Sequence, residues 1–484
     1  GEVVHTGVIP FLKLMESTVK SCHQNGIRGG SATVNFPFWH YEAEDMLVLK
    51  NNSGTDDNRV RKLDYCIQFS EMFYKRFLKN ENITLFSPNE AKDLYDAFGH
   101  EDFDELYEKY ERKTSLKFKK VVSARKLMSL FIKERVETGR IYFMNIDHCN
   151  QKSAWDDDIK MTNLCVEVLH PTKPLQHIDD KDAEIGICIL SAINVLEINS
   201  DPEMEKVCDV IVRILDQLID YQDYFMPAAE NFTKNRRSLG IGITNFAAYL
   251  AKKGVKYDDD EAPNVSDELM EKVQYYLLSS SNNLAQEKGK CNKFHKTKYS
   301  QGWLPIDTYK KEIDEYVTRK HTMDWEGLRK RIKEHGLRHS TVSAIMPCES
   351  SSVIQCSTNG IEPIRSYITY KKSKARTLPV IVPNYVGYKN KYTLAYEMED
   401  NEGLIKIVAA LQKWVDMSIS ANMYYNYAHY EKGALPDSKV IKEILLAYKL
   451  GWRTGYYNNT DDGDKQSIGE EEVKDNCESG ACAL

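Results

Sequence analysis

Apolar residues recur at helical spacing along several stretches of the 484-residue chain. From Thr6 to Lys20 they fall at Ile9, Phe11, Leu12, Leu14, Met15 and Val19, which predicts a helix. Asp201-Pro202 carries helix-start chemistry, and Met204, Val207, Cys208, Ile211, Leu215, Leu218 and Ile219 then mark one face. Cys208 belongs to that stripe and is predicted to be core. Val121 to Thr138 reads as an amphipathic helix, and further helices are predicted from about Ser266 to Gly289, Leu404 to Ser418 and Ser438 to Lys449. Shorter apolar runs at Ala32 to Phe38, Ile141 to Ile146 and Glu184 to Leu190 predict strands. Strands alternating with such helices predict an α/β fold with a largely parallel sheet or barrel. No internal repeat is evident. From Asn458 to Asn476 the composition turns to Asp, Glu, Asn, Gly and Lys, which predicts a globular part over 1–457 and a solvated, flexible tail over 458–484.

Bulk composition narrows the class. Hydrophobic residues make up 42% and charged residues 28% of the chain, enough for a substantial core in a soluble protein. The net charge of -7, with no basic block carrying interleaved aromatics, argues against direct nucleic-acid binding. No apolar run is long enough to span a bilayer and no leader-like start is seen, so no membrane role and a cytoplasmic location are expected. The 11 cysteines are scattered and suggest reduced thiols. No Cys-x-x-Cys pair or His-x-x-x-His spacing suggests a metal site.

Four stretches carry candidate chemistry. Asn163-Leu164-Cys165-Val166-Glu167 places an amide, a thiol and a carboxylate at alternate positions. In an extended or looped backbone these face one ligand together, with Leu164 and Val166 packing on the other side. A thiol between an amide and a potential base suits chemistry on a hydroxyl-bearing substrate. Read alone, the same residues also fit a buried strand with a small hydrophobic cysteine. At Met346-Pro347-Cys348-Glu349-Ser350-Ser351-Ser352 a helix start offers free N–H groups and hydroxyls to a phosphate, and Arg365 downstream could pair with the same anion; a simple capped helix is the alternative. Tyr456-Tyr457 could relay an oxidising equivalent to a thiol, or simply pack. Cys477 and Cys482 put a dithiol at the end of the polar tail, and exposed cysteines are a liability unless used. A polar loop, Ser21 to Ser31, carries three glycines and could be mobile or plain surface.

Together, in order and over nearly the whole chain, these stretches resemble the large catalytic subunit of class Ia aerobic ribonucleoside-diphosphate reductase. The resemblance implies a ten-stranded α/β barrel with the key cysteine on an inner finger loop. It implies that Cys165 is the thiyl-radical cysteine that takes the substrate's 3′-hydrogen. Glu167 would be the base on the 3′-hydroxyl, and Asn163 the amide that holds the ribose. Asn163, Leu164, Cys165, Val166 and Glu167, with Pro347, Cys348, Glu349, Ser350, Ser351 and Arg365, would bind the ribonucleoside diphosphate. Cys188 would be one of two cysteines that reduce the 2′ position and form a disulfide. Tyr456 and Tyr457 would relay the radical from a metal-containing small (beta) subunit. Cys477 and Cys482 would be the swinging dithiol, restored by thioredoxin or glutaredoxin; thiol–disulfide exchange needs direct sulfur contact, so a buried disulfide requires such an arm. No cofactor or metal is expected on this chain. Cys22, Gln24, Arg28 and Gly29 would belong to a specificity loop that reports nucleoside triphosphate effectors.

The family's large subunit is longer at its amino end. The ATP-cone region, the first barrel strand and the partner of Cys188 have no counterpart here. The expectation is therefore one piece of a split large subunit, inactive alone, that assembles with an amino-terminal fragment into a homo-oligomer. The alternative is an inactive truncated or regulatory fragment that only binds partners. An anaerobic glycyl-radical reductase is disfavoured because no glycine radical loop is found near the carboxyl end. A simple thiol oxidoreductase would leave the diphosphate site unexplained.

Overall fold

The computed structural model describes residues 6–24, 28–372 and 377–463. Its central sheet has four strands in the order Thr454–Gly455, Ile141–Asn145, Asp64–Phe69 and Thr33–Pro37. The last three run parallel, and Thr454–Gly455 pairs antiparallel to Ile141–Asn145. Asp64–Phe69 and Ile141–Asn145 are buried at every position, and Ile141–Asn145 reads as a near-continuous apolar run for that reason, whereas Asp64 and Gln68 mask the other strand in the sequence. Further along, Leu190–Asn194 runs parallel to Gly240–Thr244, and parallel bridges Ile241–Ser343 and Ile345–Ile419 continue outward from it. Met423–Asn426 pairs parallel with Asn458–Asp461. The fold is mixed α/β, and the pairings among the described residues do not join these strands into a closed ring.

Long amphipathic helices cover the sheets. Asp201–Tyr221 starts at Ser200, whose hydroxyl accepts from Glu203 N at 3.4 Å, with Pro202 in the first turn. It lies along Ala262–Lys288, which also packs on Glu402–Gln412. Cys208 is fully buried in the core, as its place in the stripe predicts, whereas Leu218 is exposed.

Several predicted boundaries move. The helix expected from Val121 begins at Ala124, because Ser123 caps it and Val121 and Val122 belong to the strand Lys119–Ser123, paired with Asn82–Phe86. The run Glu184 to Leu190 is not a strand; regular pairing begins at Leu190, and the residues before it form the approach to that strand. The helix expected to reach Ser418 stops at Gln412, releasing a buried segment that makes bridge contacts instead. Asn458–Asp461 is sheet rather than tail, held by its pairing to Met423–Asn426. Among the described residues, no helix is long and apolar enough to cross a membrane.

Candidate active site

The motif Asn163 to Glu167 lies on a loop closed at its base by a bridge between Thr162 and Leu169. Asn163 N donates to Val168 O at 3.2 Å, Val168 N donates to Asn163 Oδ1 at 2.9 Å, and Val166 N donates to Asn163 O at 3.3 Å. Val166 adopts φ +62°, a strained conformation for a β-branched residue. The chain therefore turns inside the motif, and the simple two-residue alternation does not hold. Val166 is fully buried while Leu164 is half-buried. The three polar residues still converge, because Asn163 hydrogen-bonds to the Glu167 carboxylate and to Cys188, whose thiol feels the charges of Glu167 and Cys165.

Distant segments hold the loop in this shape. Thr33 Oγ1 donates to Leu164 O and Thr454 Oγ1 to Val166 O, each at 2.9 Å. Ser418 N donates to Glu167 O at 2.9 Å, and Ser420 Oγ lies 2.9 Å from Glu167 Oε2. Burial pushes the Glu167 carboxyl above the usual range, against the hydrogen bonds from Asn163, its own amide and Ser420. A buried carboxyl without a cation is suited to taking and returning a proton. Cys188 is exposed as a residue, yet burial of its sulfur, then the charges of Glu167 and Cys165, push the thiol up to about 12. It stays a thiol at neutral pH.

The tyrosine pair approaches from the other end of the chain. Tyr456 OH lies 3.4 Å from Cys165 Sγ. The Tyr456 and Tyr457 rings are 3.8 Å apart at 31°, and the buried Tyr142 ring packs 4.8 Å from Tyr456 and 5.8 Å from Tyr457. Burial drives both phenols of the pair above their ordinary value. A phenol that cannot ionise loses its electron together with its proton, and the Cys165 sulfur is the group within reach of Tyr456. Arg135, fully buried, donates to Ile141 O at 2.6 Å and Tyr456 O at 2.7 Å, tying the pair to the central sheet. The Arg140 guanidinium sits 5.0 Å from the Tyr457 ring centroid.

Gly455 sets the tyrosine's approach. A Cβ there would fall 2.1 Å from the buried Phe143 ring, so the backbone of Thr454–Gly455 lies flat on that ring. Gly455→Ala is expected to cost about 1–3 kcal/mol through overpacking. It should also move Tyr456 off Cys165, which chemical denaturation and Tyr456 fluorescence quenching by ring contacts would register together.

Pro347 to Ser351 lie at the predicted helix start. Glu349–Ile354 is a short helix with Cys348 at its cap position. Pro347 is half-buried and Cys348 buried, while Glu349, Ser350 and Ser351 are exposed. Cys348 N is already held by Asn359 Oδ1 at 2.7 Å. Ser420 N donates to Ile345 O at 2.9 Å, so this helix start follows directly from the segment beside the Cys165 loop. Arg365 is exposed, donates to Asn459 Oδ1 at 3.3 Å and faces the charges of Glu362 and Glu349. At the other end, His23–Gln24 and Arg28–Gly29 form a short antiparallel hairpin, with Cys22 exposed and Gly29 half-buried. Cys477 and Cys482 lie outside the described residues.

Residues 1–458 match the ribonucleotide reductase barrel domain. This chain belongs to that family. It is 47% identical to the ribonucleoside-diphosphate reductase subunit alpha of Haemophilus influenzae, over 100% of this chain and 64% of that protein. It is 48% identical to the Escherichia coli ribonucleoside-diphosphate reductase 1 subunit alpha, again over 100% of this chain and 64% of the relative. The enterobacteria phage T4 subunit alpha is 42% identical over 100% of this chain and 65% of its own length. The chain thus spans less than two thirds of these relatives.

Four residues of this barrel domain shape the candidate site yet escape a reading of motifs. Arg135 sits on the apolar face of its helix four residues after Phe131, a misplaced charge that signals a buried partner. Ser418 and Ser420 flank Ile419 just where the helix predicted from Leu404 ends, so periodicity gives Ser420 no role. Arg453 is buried before the tyrosine pair, and donates to Val415 O at 3.0 Å, Asp416 O at 2.6 Å and Lys152 O at 2.7 Å.

Proposed function

We propose that this chain is the catalytic portion of a class Ia ribonucleoside-diphosphate reductase, making 2′-deoxyribonucleoside diphosphates for DNA synthesis. The observation that carries the reading is the 3.4 Å contact of Tyr456 OH with Cys165 Sγ, beside Glu167 and Cys188. Tyr457 and Tyr456 relay an oxidising equivalent delivered by a metal-containing small subunit. A Tyr456 phenoxyl takes the hydrogen atom of Cys165, leaving a phenol and a thiyl radical, and the thiyl takes the substrate's 3′-hydrogen. Glu167 receives the 3′-hydroxyl proton and Asn163 orients the ribose. Cys188 and a second thiol each give up a hydrogen as the 2′-hydroxyl leaves as water, and they close a disulfide. Pro347, Cys348, Glu349, Ser350 and Ser351, with Arg365, receive the diphosphate.

The parallel strand runs support a ten-stranded barrel that this chain fills only in part, with residues 1–457 as its body and 458–484 carrying the redox tail. Cys477 and Cys482 pass electrons from thioredoxin or glutaredoxin to the Cys188 disulfide. Cys22, Gln24, Arg28 and Gly29 belong to a specificity loop that answers nucleoside triphosphates. A complementing amino-terminal portion of the large subunit supplies the thiol partner of Cys188, in a cytoplasmic homo-oligomer.

The test is reduction of a ribonucleoside diphosphate with small subunit and dithiol reductant, with and without the amino-terminal fragment. Turnover is expected with both pieces and none without the fragment. Robust turnover without it would remove the need for a thiol supplied in trans. Absence of turnover in both arms would favour a fragment that only binds partners.

A further inference from the structure

A single hydroxyl holds two members of the Cys165 loop. Ser420 Oγ lies 2.6 Å from the Cys165 carbonyl oxygen and 2.9 Å from Glu167 Oε2. Serine has one hydroxyl hydrogen to donate. While Glu167 is a carboxylate, both neighbours are acceptors and that hydrogen cannot fully serve both. A bond to a charged oxygen is roughly twice as strong as one to a neutral oxygen, so the hydroxyl turns to Glu167 and the Cys165 carbonyl loses its donor. Once Glu167 is protonated, its own O–H donates to Ser420 Oγ, and the serine hydrogen is free for the Cys165 carbonyl. Both short contacts are then satisfied at once. Ser420 is 5% exposed, so water cannot readily replace either bond. Its backbone is fixed by the bond from Ser420 N to Ile345 O, which leaves rotation of the hydroxyl as the freedom in the arrangement.

We propose that Ser420 is a positioning residue that couples the proton on Glu167 to the grip on the Cys165 backbone. Its meaning for turnover rests on the reading of Glu167 as base and Cys165 as radical carrier, while the coupling itself stands without that reading. When Glu167 takes the proton of a substrate hydroxyl, the loop is gripped at Cys165, which is the stage at which the cysteine must stay in register with the substrate carbon. When the proton leaves, the grip relaxes. The titratable groups around Glu167 are the thiols of Cys165, on its own loop, and Cys188, beside the loop; Tyr456, from the strand end, faces Cys165. Asp416, on the segment that carries Ser420, is turned away toward Tyr299 and Gln274, whose Nε2 lies 2.9 Å from Asp416 Oδ1. No cation faces Glu167 among the described residues.

The experiment is hydrogen exchange of the 162–169 segment in the full 484-residue chain across pH, corrected for intrinsic exchange, with infrared detection of the protonated carboxyl. Loop protection in the unaltered chain is expected to be about fivefold higher below the Glu167 midpoint than above it, the weight of one net hydrogen bond. Glu167→Gln should remove the step and assign the carboxyl band. Ser420→Ala should abolish the step and move the Glu167 midpoint upward, since the carboxylate loses a donor, and Ser420→Thr should restore both. A step of unchanged size and position in Ser420→Ala, or no step in the unaltered chain, overturns the proposal. Failure of the turnover assay with the step intact would instead refute the functional reading and leave the coupling standing.

Discussion

On the proposed function, replacing Cys165 with serine is expected to abolish ribonucleotide reduction in the assembled enzyme while leaving the fold in place. The exchange keeps side-chain size, and Cys165 is half-buried in a loop fixed mainly through its backbone, so the melting midpoint should stay within about 2 °C. What changes is the group that faces Tyr456 OH at 3.4 Å. A hydroxyl holds its hydrogen far more strongly than a thiol, so neither the tyrosine-to-sulfur step nor the attack on substrate has a usable successor. The expected loss is at least about 1000-fold in turnover, equivalent to about 4 kcal/mol of barrier. The assay is nucleotide reduction by the complemented enzyme, read beside far-ultraviolet circular dichroism and a thermal melt. A variant that keeps a tenth or more of the rate would remove Cys165 from the centre of the mechanism and leave the loop as packing.

The second large effect concerns stability. Asp216→Ala should cost about 3–5 kcal/mol, because it strips the shared acceptor from a buried cluster of cations. Asp216 is fully buried on the helix Asp201–Tyr221. Its Oδ1 accepts from Arg237 Nε at 2.8 Å and Arg338 Nε at 3.0 Å, and its Oδ2 accepts from Lys288 Nζ at 3.1 Å. His339 Nε2 lies 3.2 Å from Oδ1. These partners come from the approach to Gly240–Thr244, the end of Ala262–Lys288 and the segment before Ser343, so one carboxylate joins three elements to its helix. Asp220→Ala is the comparison: it also receives Arg237, but its side chain is 42% exposed and the loss should stay within about 1 kcal/mol.

The pH dependence of the same pair gives the sign. Burial alone would raise the Asp216 carboxyl, but His339, Arg237 and Lys288 outweigh it and hold the group far below the carboxylate range. The folded value is thus depressed, and the stability it contributes is complete above the unfolded value near 3.9. It is lost as pH falls from there toward the folded value. His339, pushed down to about 4 by burial, stays neutral at neutral pH, so the arginines and Lys288 carry the pairing there. Denaturant titrations should show the full gap between Asp216→Ala and the unaltered chain at pH 7 and at pH 5, narrowing below about pH 4.

The sequence by itself determined the helices with strong periodicity, two of the parallel strands of the central sheet (Thr33–Pro37 and Ile141–Asn145) and the family. Asp201–Tyr221 and its core Cys208 follow from spacing of about 3.6 residues, and Ile141–Asn145 from an unbroken apolar run. Asn163 to Glu167 was legible because its chemistry lies within five residues. Local pattern failed where a long-range bond overrode it. Val166 is driven into a left-handed turn by bonds at Asn163, Val168 and Thr454, which breaks the alternation expected of an extended motif. The segment after Gln412 leaves its helical pattern because Ser418 and Ser420 are claimed by Glu167, Cys165 and Ile345.

Tertiary structure alone decided which groups touch. Cys165 and Tyr456 are 291 positions apart, Cys165 and Ser420 are 255 apart, and Arg135 reaches Tyr456 across 321. No spacing rule links residues at such separations, because their distance is set by strand order and by which helix covers which sheet. The identity of the candidate residues is written locally in the chain. Their contact, and the proton and hydrogen-atom chemistry it permits, exists only once the central sheet brings Thr454–Gly455 beside Ile141–Asn145 and the Cys165 loop is pinned against it.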